Sequence, residues 1–201
     1  TLIATAPLLV VVHPSLPVAT LKDLVALAKR LPGKLSYSSA GVGSSNHLAG
    51  ALFSIEAGVD IVHVPYKGAA PAVVDLMSGQ VQLSFQTLPS VGGNVKAKRL
   101  KPLAVTSAKR ATTYPDVPTT AEVGLKGFEV SAWYSVLVPA GTPRPIIDRL
   151  NAEVLNALEE HQAVKLVLAE LDKMNAEDER YGAKMHVIQE SVEMHIDEEE
   201  E

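Results

Sequence analysis

Residues 34–57 read KLSYSSAGVGSSNHLAGALFSIEA, and this stretch indicates the fold class. Its start predicts a short strand at about residues 34–38, its glycine- and serine-rich centre predicts a loop, and residues 46–57 predict a helix. A strand followed by a loop and a helix is one half of a strand–helix–strand unit. The stretch therefore favours an α/β protein whose mainly parallel sheet is flanked by helices.

The same alternation continues on both sides of this stretch. Thr20 offers a helix N-cap, an apolar run covers residues 130–138, and residues 144–171 repeat apolar side chains with the period of a helix. The other predicted elements are strands at residues 8–12, 61–64, 81–85 and 103–105 and helices at about 70–77 and 91–97.

The composition limits the classes of protein that fit. The chain has 201 residues, of which 47% are hydrophobic, so it can bury a core in one or two compact lobes. Cysteine is absent, which excludes disulfides, thiolate nucleophiles and cysteine-based metal sites. No apolar run reaches the roughly 18 to 20 residues of a membrane span, and the first residues lack the pattern of a signal peptide. We therefore predict a globular chain without an export signal of its own.

Charge is divided unevenly along the chain. Up to Leu150 there are 14 basic and 8 acidic residues, whereas from Asn151 onward there are 4 basic and 15 acidic residues. The acidic end, which closes with DEEEE at residues 197–201, is typical of a solvated tail. The basic balance of the body suits an anionic ligand. Its basic residues are scattered without interleaved aromatic residues, so we expect no nucleic-acid partner.

The loop at residues 38–45 is the most informative candidate site. Two glycines allow the backbone to approach a ligand, while consecutive amides and hydroxyls precede a helix N-terminus. This pattern suits a carboxylate or another anion, and a tight turn with a serine cap explains the composition equally well. The candidate ligand residues in this loop are Ser39, Ala40, Gly41, Gly43, Ser44 and Ser45.

Three other uses of a glycine-rich loop are unsupported. A Walker loop needs a Lys after its last glycine, and Ser44 follows Gly43. A dinucleotide-binding loop needs a third glycine where the chain has Asn46. A hydrolase elbow needs a glycine on both sides of its serine, and none follows Ser45 closely. We therefore expect neither a nucleotide cofactor nor nucleophilic catalysis.

Other polar residues are predicted at the same edge of the sheet, where the loops after the strands converge. His47 lies about one helical turn beyond the glycine loop and could reach the same ligand or be a structural histidine. The six histidines are spread singly, so no metal site is predicted. The remaining candidates, each of which could equally be a solvated or terminal polar residue, are Tyr66, Lys67, Gly68, Gln86 and Thr87.

Six motifs occur in an order that resembles one known family. They are VVHP (11–14), LSYSSAGVGSSNHLA (35–49), VHVPYKG (62–68), LAVTSAKR (103–110), PDVPT (115–119) and PAGTP (139–143). In this order they resemble the substrate-binding receptors of tripartite tricarboxylate transporters, also called Bug proteins. The match runs from about residue 8 to residue 156. Beyond about Leu171 the sequence no longer resembles the family.

The resemblance implies a two-lobed periplasmic binding protein of type II with its ligand in the cleft. It implies that the glycine loop and His47 form the carboxylate-binding segment of the second lobe. Compared with the family, most of the first lobe is missing from this chain. The division implied is a ligand-binding lobe at residues 1–138, a return helix of the first lobe at 139–171 and a divergent acidic tail at 172–201.

The function implied is the capture, in the periplasm, of a di- or tricarboxylate, an acidic amino acid or an aromatic acid. The captured ligand would be delivered to a membrane permease. The candidate loops hold no acid/base pair, so we predict that the chain is not an enzyme. The alternative is an isolated or engineered lobe that acts as an interaction or structural module with little ligand affinity. In either case, an exposed apolar face on the return helix predicts a homodimer.

Overall fold

A computed structural model of the chain describes residues 2–174, 178 and 180–189. The strands are β1 (Leu2–Val12), β2 (Ser36–Ser39), β3 (Val62–Pro65), β4 (Leu83–Thr87), β5 (Lys101–Val105) and β6 (Ser131–Ser135). The helices are α1 (Leu21–Arg30), α2 (Ser45–Ala57), α3 (Ala69–Met77), α4 (Leu88–Lys96) and α5 (Arg144–Leu171), and residues 180–189 are also helical. The backbone forms two compact units, Ala4–Tyr134 and the remainder.

The larger unit contains a mixed sheet with the order β3-β2-β4-β1-β5, and β6 pairs with β1. Strand β2 runs parallel to β3 and β4, whereas β1 runs antiparallel to β4 and β5. Because β1 is antiparallel, its Leu8 lies opposite Thr87 at the end of β4, and its Val12 lies opposite Leu83 at the start of β4. The prediction of an α/β fold with a sheet flanked by helices is confirmed, and the sheet is mixed because β1 runs antiparallel to its neighbours β4 and β5.

Strand β1 is the centre of the core. Residues 8–12 have no exposed surface, and their side chains alternate between two apolar clusters on opposite faces of the sheet. One cluster includes Phe53, Phe85 and Phe128 together with α1 and α2, and the other includes residues of α3 and α4. Burial on both faces explains why this strand is a continuous apolar run in the sequence.

Several element boundaries differ from the sequence prediction, including those of β2, β4 and α4, and the differences at β1 and β6 concern the apolar runs. Strand β1 begins at Leu2 and not at residue 8, because residues 2–7 extend the strand without the full burial that makes an apolar run. Strand β6 ends at Ser135, so the apolar residues 136–138 lie outside the sheet. By contrast, α5 covers the predicted residues 144–171.

The second unit is built mainly from α5. Residues 136–138 and the first turns of this helix enclose an apolar cavity of about 230 Å³, lined by Val136, Leu137, Val138, Ile147, Leu150, Asn151 and Val154. Further along α5, Leu155, Leu166 and Leu168 are about half exposed. Within the described residues, no helix combines the length and hydrophobicity that a membrane span requires.

Candidate functional site

Three helices begin at one edge of the sheet. Because β2, β3 and β4 are parallel, their carboxyl ends meet at this edge. Strand β2 is followed by α2, β3 by α3 and β4 by α4. Helix N-termini carry backbone N–H groups without intrahelical acceptors and a partial positive charge. The fold therefore directs three such termini toward the region in which the sequence predicts an anion site.

The loop between β2 and α2 turns through two glycines with positive φ, 131° at Gly41 and 82° at Gly43. A Cβ at Gly41 would lie 3.3 Å from the backbone oxygen of Tyr66, so the close approach of the next loop adds a second requirement for glycine. Two serine hydroxyls hold this turn. Ser39 Oγ lies 3.1 Å from both the nitrogen and the oxygen of Gly41, and Ser44 Oγ donates to the Gly41 oxygen at 2.7 Å.

Ser44 is also the N-cap of α2, because its Oγ accepts a hydrogen bond from the His47 amide at 3.3 Å. The structure therefore combines the two alternatives that the sequence left open, a serine-capped turn and a glycine loop at a helix N-terminus. Among the described residues, the amides of Val42 and Ser45 meet no hydrogen-bond acceptor. Amides without an acceptor at a helix N-terminus are the kind of donor that binds anions.

The loop after β3 lies beside the glycine loop. The amide of Tyr66 donates to the Ser39 oxygen at 3.1 Å, and the amide of Gly68 donates to the Ala40 oxygen at 3.1 Å. Lys67, between them, is exposed. The structure thus brings together the two loops that the sequence singled out separately.

The hydroxyl of Tyr66 is turned toward α3, where it donates to Asp75 Oδ2 at 2.7 Å. Burial, followed by the hydrogen bond and the negative charge of Asp75, raises the pKa of Tyr66 to about 12. The phenol therefore stays neutral and holds the loop to the helix.

Helix α3 supplies two donors that the sequence analysis missed. Its N-cap is Gly68, with a φ of 110°, and a glycine has no side chain to occupy the amides of Ala69 and Ala70. Ala69 and Ala70, together with Val73 and Ser90, line a cavity of about 430 Å³. The run of small residues after β3 is the one local feature of the sequence that points to this cavity. Small residues alone do not distinguish a cavity wall from a helix packing surface.

The imidazole ring of His47 contacts the glycine loop at Gly43. Its Nδ1 accepts a hydrogen bond from the Gly43 amide at 3.1 Å, and its ring stacks on that of His63 with the centroids 4.1 Å apart. His63 lies on β3, and its Nε2 is 2.6 Å from Ser39 Oγ. Burial, and secondarily the charge of His47, lowers the pKa of His63.

The sequence analysis did not select His63, because its pairing with the glycine loop depends on the parallel register that places it beside Tyr37. An isolated histidine in a short strand carries no local signal of such a contact.

Gln86 and Thr87 occupy the end of β4. Gln86 has no exposed surface; its Nε2 donates to Ser84 Oγ at 2.9 Å, and its Oε1 lies 3.4 Å from Asn46 Nδ2. Asn46 Nδ2 also donates to the Phe85 oxygen. Thr87 is the N-cap residue of α4, and its hydroxyl shares a hydrogen bond of 2.8 Å with Ser90 Oγ.

The arrangement is suited to binding an anion through neutral donors. Every buried side-chain nitrogen or oxygen that the structure describes has a partner. In the same described part of the chain, no three or more His, Asp or Glu side chains are grouped so that they could hold a metal ion. The amides of Ser45, Ala69 and Ala70 belong to the first turns of α2 and α3, which begin at the same edge of the sheet.

Comparison with known proteins begins at the level of the family. A family model described as "Tripartite tricarboxylate transporter family receptor" matches residues 1–196. The matched segment extends beyond Leu171 to residue 196, so the prediction that the resemblance stops at about Leu171 is wrong.

Two bacterial relatives illustrate the similarity of sequence. The "UPF0065 protein in tcbD-tcbE intergenic region" of Pseudomonas sp. (strain P51) is 46% identical over 158 residues, which are 78% of this chain and 47% of that protein. "Protein BugT" of Bordetella pertussis is 36% identical over 169 residues, which are 84% of this chain and 52% of that protein. The chain therefore spans about half the length of these relatives.

Three solved structures are similar as well. A structure from R. palustris with adipate has a TM-score of 0.72 and 42% identity, over 76% of this chain and 51% of that chain. MatC from Rhodopseudomonas palustris with bound malate has a TM-score of 0.75 and 31% identity, over 78% and 53%. The periplasmic binding protein BugD has a TM-score of 0.71 and 32% identity, over 92% and 56%. These similarities confirm the predicted fold class, a lobe of a periplasmic binding protein.

Proposed function

The chain belongs to the tripartite tricarboxylate transporter receptor family, and we propose on that premise that it captures a small carboxylate for uptake by a tripartite transporter. The family is one of solute-binding receptors. Because the chain spans about half the length of its relatives, the proposal depends on the site that the chain itself contains.

The observation that carries the proposal is the glycine loop after β2, with the amides of Val42 and Ser45 open at the N-terminus of α2. A carboxylate there would complement the helix dipole and accept charge-assisted hydrogen bonds, each of which is shorter and stronger than a bond to a neutral acceptor. The exposed Lys67 adds a positive charge beside the loop. These groups form the proposed direct contacts. The amides of Gly41, Gly43 and Gly68 already have partners, so in this proposal these three glycines and Ala40 shape the backbone around the ligand and supply no further donor.

In this proposal, a second group of the predicted residues holds the loops in position and does not contact the ligand. Their side chains already bond to the protein, so they position the contact groups. This group consists of Ser39, Ser44, His47, Tyr66, Gln86 and Thr87.

The proposed ligand is a di- or tricarboxylate, an acidic amino acid or an aromatic acid, with dicarboxylates favoured. Adipate and malate appear with two of the similar structures. The small apolar side chains of Ala69, Ala70 and Val73 leave room for a hydrocarbon segment next to the amides of α3. We propose no catalytic step, because the titratable groups at this edge are engaged in holding the loops and form no acid/base pair directed at a ligand.

The proposed setting is the periplasm, with the permease subunits of the transporter as partners. BugD, one of the similar structures, is described as a periplasmic binding protein. We also propose the division predicted from the sequence, in which residues 139–171 belong to the other lobe of the receptor. The end of the predicted acidic tail, residues 190–201, lies outside the described residues.

The exposed apolar residues of α5 favour a second candidate role. Leu150, Leu155, Leu166 and Leu168 are 41% to 61% exposed. Large exposed apolar side chains on one helix are typical of an interaction surface, so a homodimer through α5 is the alternative function of this chain. Sedimentation velocity over a wide concentration range would test it, and a constant monomeric coefficient would exclude that role.

Calorimetric titration with adipate, malate, succinate, citrate, glutamate and terephthalate tests the main proposal. We expect saturable heat with at least one dicarboxylate. Gly41→Ala places a side chain against the Tyr66 oxygen and at a φ of 131°, so it should weaken binding by about tenfold or more.

Ser78→Ala is the matched control, because Ser78 caps the opposite end of α3 and its hydroxyl bonds only to the nearby Asp75 oxygen at 3.1 Å. The carboxylate affinity of the Ser78→Ala variant should equal that of the unmodified chain. If the folded chain gives no heat with any of the six acids, carboxylate capture is the wrong function. If Gly41→Ala and Ser78→Ala bind equally well, the glycine loop is not the binding site.

A further inference from the structure

Two stacked histidines lie behind the glycine loop. The rings of His47 and His63 are 4.1 Å apart and inclined by 24°. His47 holds Gly43 through a hydrogen bond of 3.1 Å, and His63 contacts Ser39 Oγ at 2.6 Å. Ser39 Oγ in turn holds both backbone groups of Gly41 at 3.1 Å. Both glycines of the loop are therefore connected to the histidine pair.

The bond to Gly43 defines the protonation state of His47. A backbone N–H can only donate, so Nδ1 of His47 must present a lone pair and the neutral ring carries its hydrogen on Nε2. Protonation of His47 places a hydrogen on Nδ1 and removes the acceptor. The Gly43 amide then loses its partner, and the loop loses one of its anchors.

The two rings are so close that protonation of both is unfavourable, because two like charges about 4 Å apart repel strongly at the edge of a protein. Burial and the charge of His47 lower the pKa of His63, in agreement with this geometry.

The other titratable groups around the pair do not offset that repulsion. Tyr37 on β2 stacks on His63 at 5.0 Å, and its hydroxyl donates to the His47 oxygen at 3.3 Å. In the loop after β3, Tyr66 is bonded to Asp75, and Lys67 would add positive charge. Among the described residues, no carboxylate forms an ion pair with either ring.

We propose that His47 is a positioning residue whose neutral ring holds the glycine loop in its anion-binding conformation, so that carboxylate affinity falls when the pair with His63 takes up a proton. The inference rests on the proposed function, because it concerns the affinity of that site. If His47 instead contacted the ligand as a cation, acidification would strengthen binding, so the sign of the pH dependence separates the two roles.

The test is calorimetric titration of the full chain with malate at about pH 8 and about pH 6, a range in which carboxylates stay ionised while histidine titrates. We expect binding about tenfold weaker at the lower pH, the equivalent of one lost hydrogen bond. His47→Leu removes the acceptor and should weaken binding at both pH values.

His47→Asn offers an uncharged acceptor near the position of Nδ1. It should restore most of the affinity lost in His47→Leu, and its affinity should no longer fall at the lower pH. His13→Asn is the control, because His13 follows β1 at the opposite edge of the sheet, where its amide donates to the Gln82 oxygen; this variant should keep the full pH dependence. Stronger binding at low pH, or an unchanged pH dependence in His47→Asn, would overturn the proposal.

A ligand-free measurement decides the positioning role independently. Long-range ¹H–¹⁵N spectra of the imidazole nitrogens should show His47 with its hydrogen on Nε2 at about pH 8, and exchange of the Gly43 amide should accelerate as His47 is protonated. If none of the six acids gives heat, the proposed function fails while these spectra still test the contact. A hydrogen on Nδ1 at about pH 8, or Gly43 exchange that is insensitive to pH after correction for the intrinsic rate, would exclude the positioning role.

Discussion

The ring of Tyr37 fills the space beside Gly50. A Cβ built on Gly50 would lie 2.1 Å from Cε2 of Tyr37, well inside van der Waals contact. The ring is almost completely buried, stacks on His63 and meets Phe85 edge-on at 5.9 Å. Helix α2 therefore approaches the sheet closely only because residue 50 has no side chain.

We predict that Gly50→Ala destabilises the protein by about 1–3 kcal/mol, the usual cost of overpacking a core. The loss should appear even though alanine favours a helix over glycine by about 1 kcal/mol. Urea unfolding followed by circular dichroism measures the change. Gly127→Ala is the control, because a Cβ there meets only the carboxylate end of Glu56, which can move. Equal stability of the two variants would show that Tyr37 has room to shift.

Gln86 joins β4 to α2 through buried hydrogen bonds to Ser84 and Asn46. Gln86→Leu keeps a similar volume but removes both of these hydrogen bonds, so we predict a loss of about 1–3 kcal/mol in the free energy of unfolding. Gln80→Leu, at an exposed position, should change this free energy by less than about 0.5 kcal/mol. Thermal or urea unfolding distinguishes them, and a Gln86→Leu protein as stable as the control would contradict a structural role for the buried amide.

Thr106 fastens β1 to the segment that precedes β6. Its buried hydroxyl accepts from the Leu8 amide at 2.8 Å and lies 2.5 Å from the Val130 oxygen. Thr106→Val should cost about 1–3 kcal/mol and accelerate hydrogen exchange at the Leu8 amide. Thr106→Ser keeps the hydroxyl and should retain the slow exchange. Rapid exchange at Leu8 in both variants, or in neither, would rule out the hydroxyl as the fastening group.

The lowered pKa of His63 makes stability depend on pH. A group whose pKa is lower in the folded state takes up its proton more readily when unfolded, so acidification favours unfolding. We predict that the free energy of unfolding is greatest above the ordinary histidine pKa of about 6.5 and decreases as the pH falls below it toward the lower pKa of folded His63.

Denaturant unfolding between about pH 5 and pH 8 measures this decrease while most carboxylates remain ionised. His63→Gln should show a weaker dependence, whereas His13→Gln should behave like the unmodified chain. A decrease of the same size in all three proteins would assign it to other groups.

Local features of the sequence were sufficient for much of the fold. Residues 144–171 form α5 as predicted, since the helical period of apolar residues is read along the chain itself. Thr20 caps α1 through its contact with the Asp23 amide at 3.2 Å, as its residue type indicates. The glycine loop before α2 and the family membership were also predicted, because both depend on contiguous motifs.

Contacts between distant segments were decided by the tertiary structure. The antiparallel direction of β1, the stacking of His47 on His63 and the burial of Gln86 all depend on strand order and register. The sequence contains each of these residues, but hydrophobic period and capping preferences carry no record of which strand will be the neighbour. The sequence by itself determined a glycine- and serine-rich loop at a helix N-terminus. Only the packing of β3 against β2 determined that a histidine pair holds that loop, because the two rings approach each other across a strand pair.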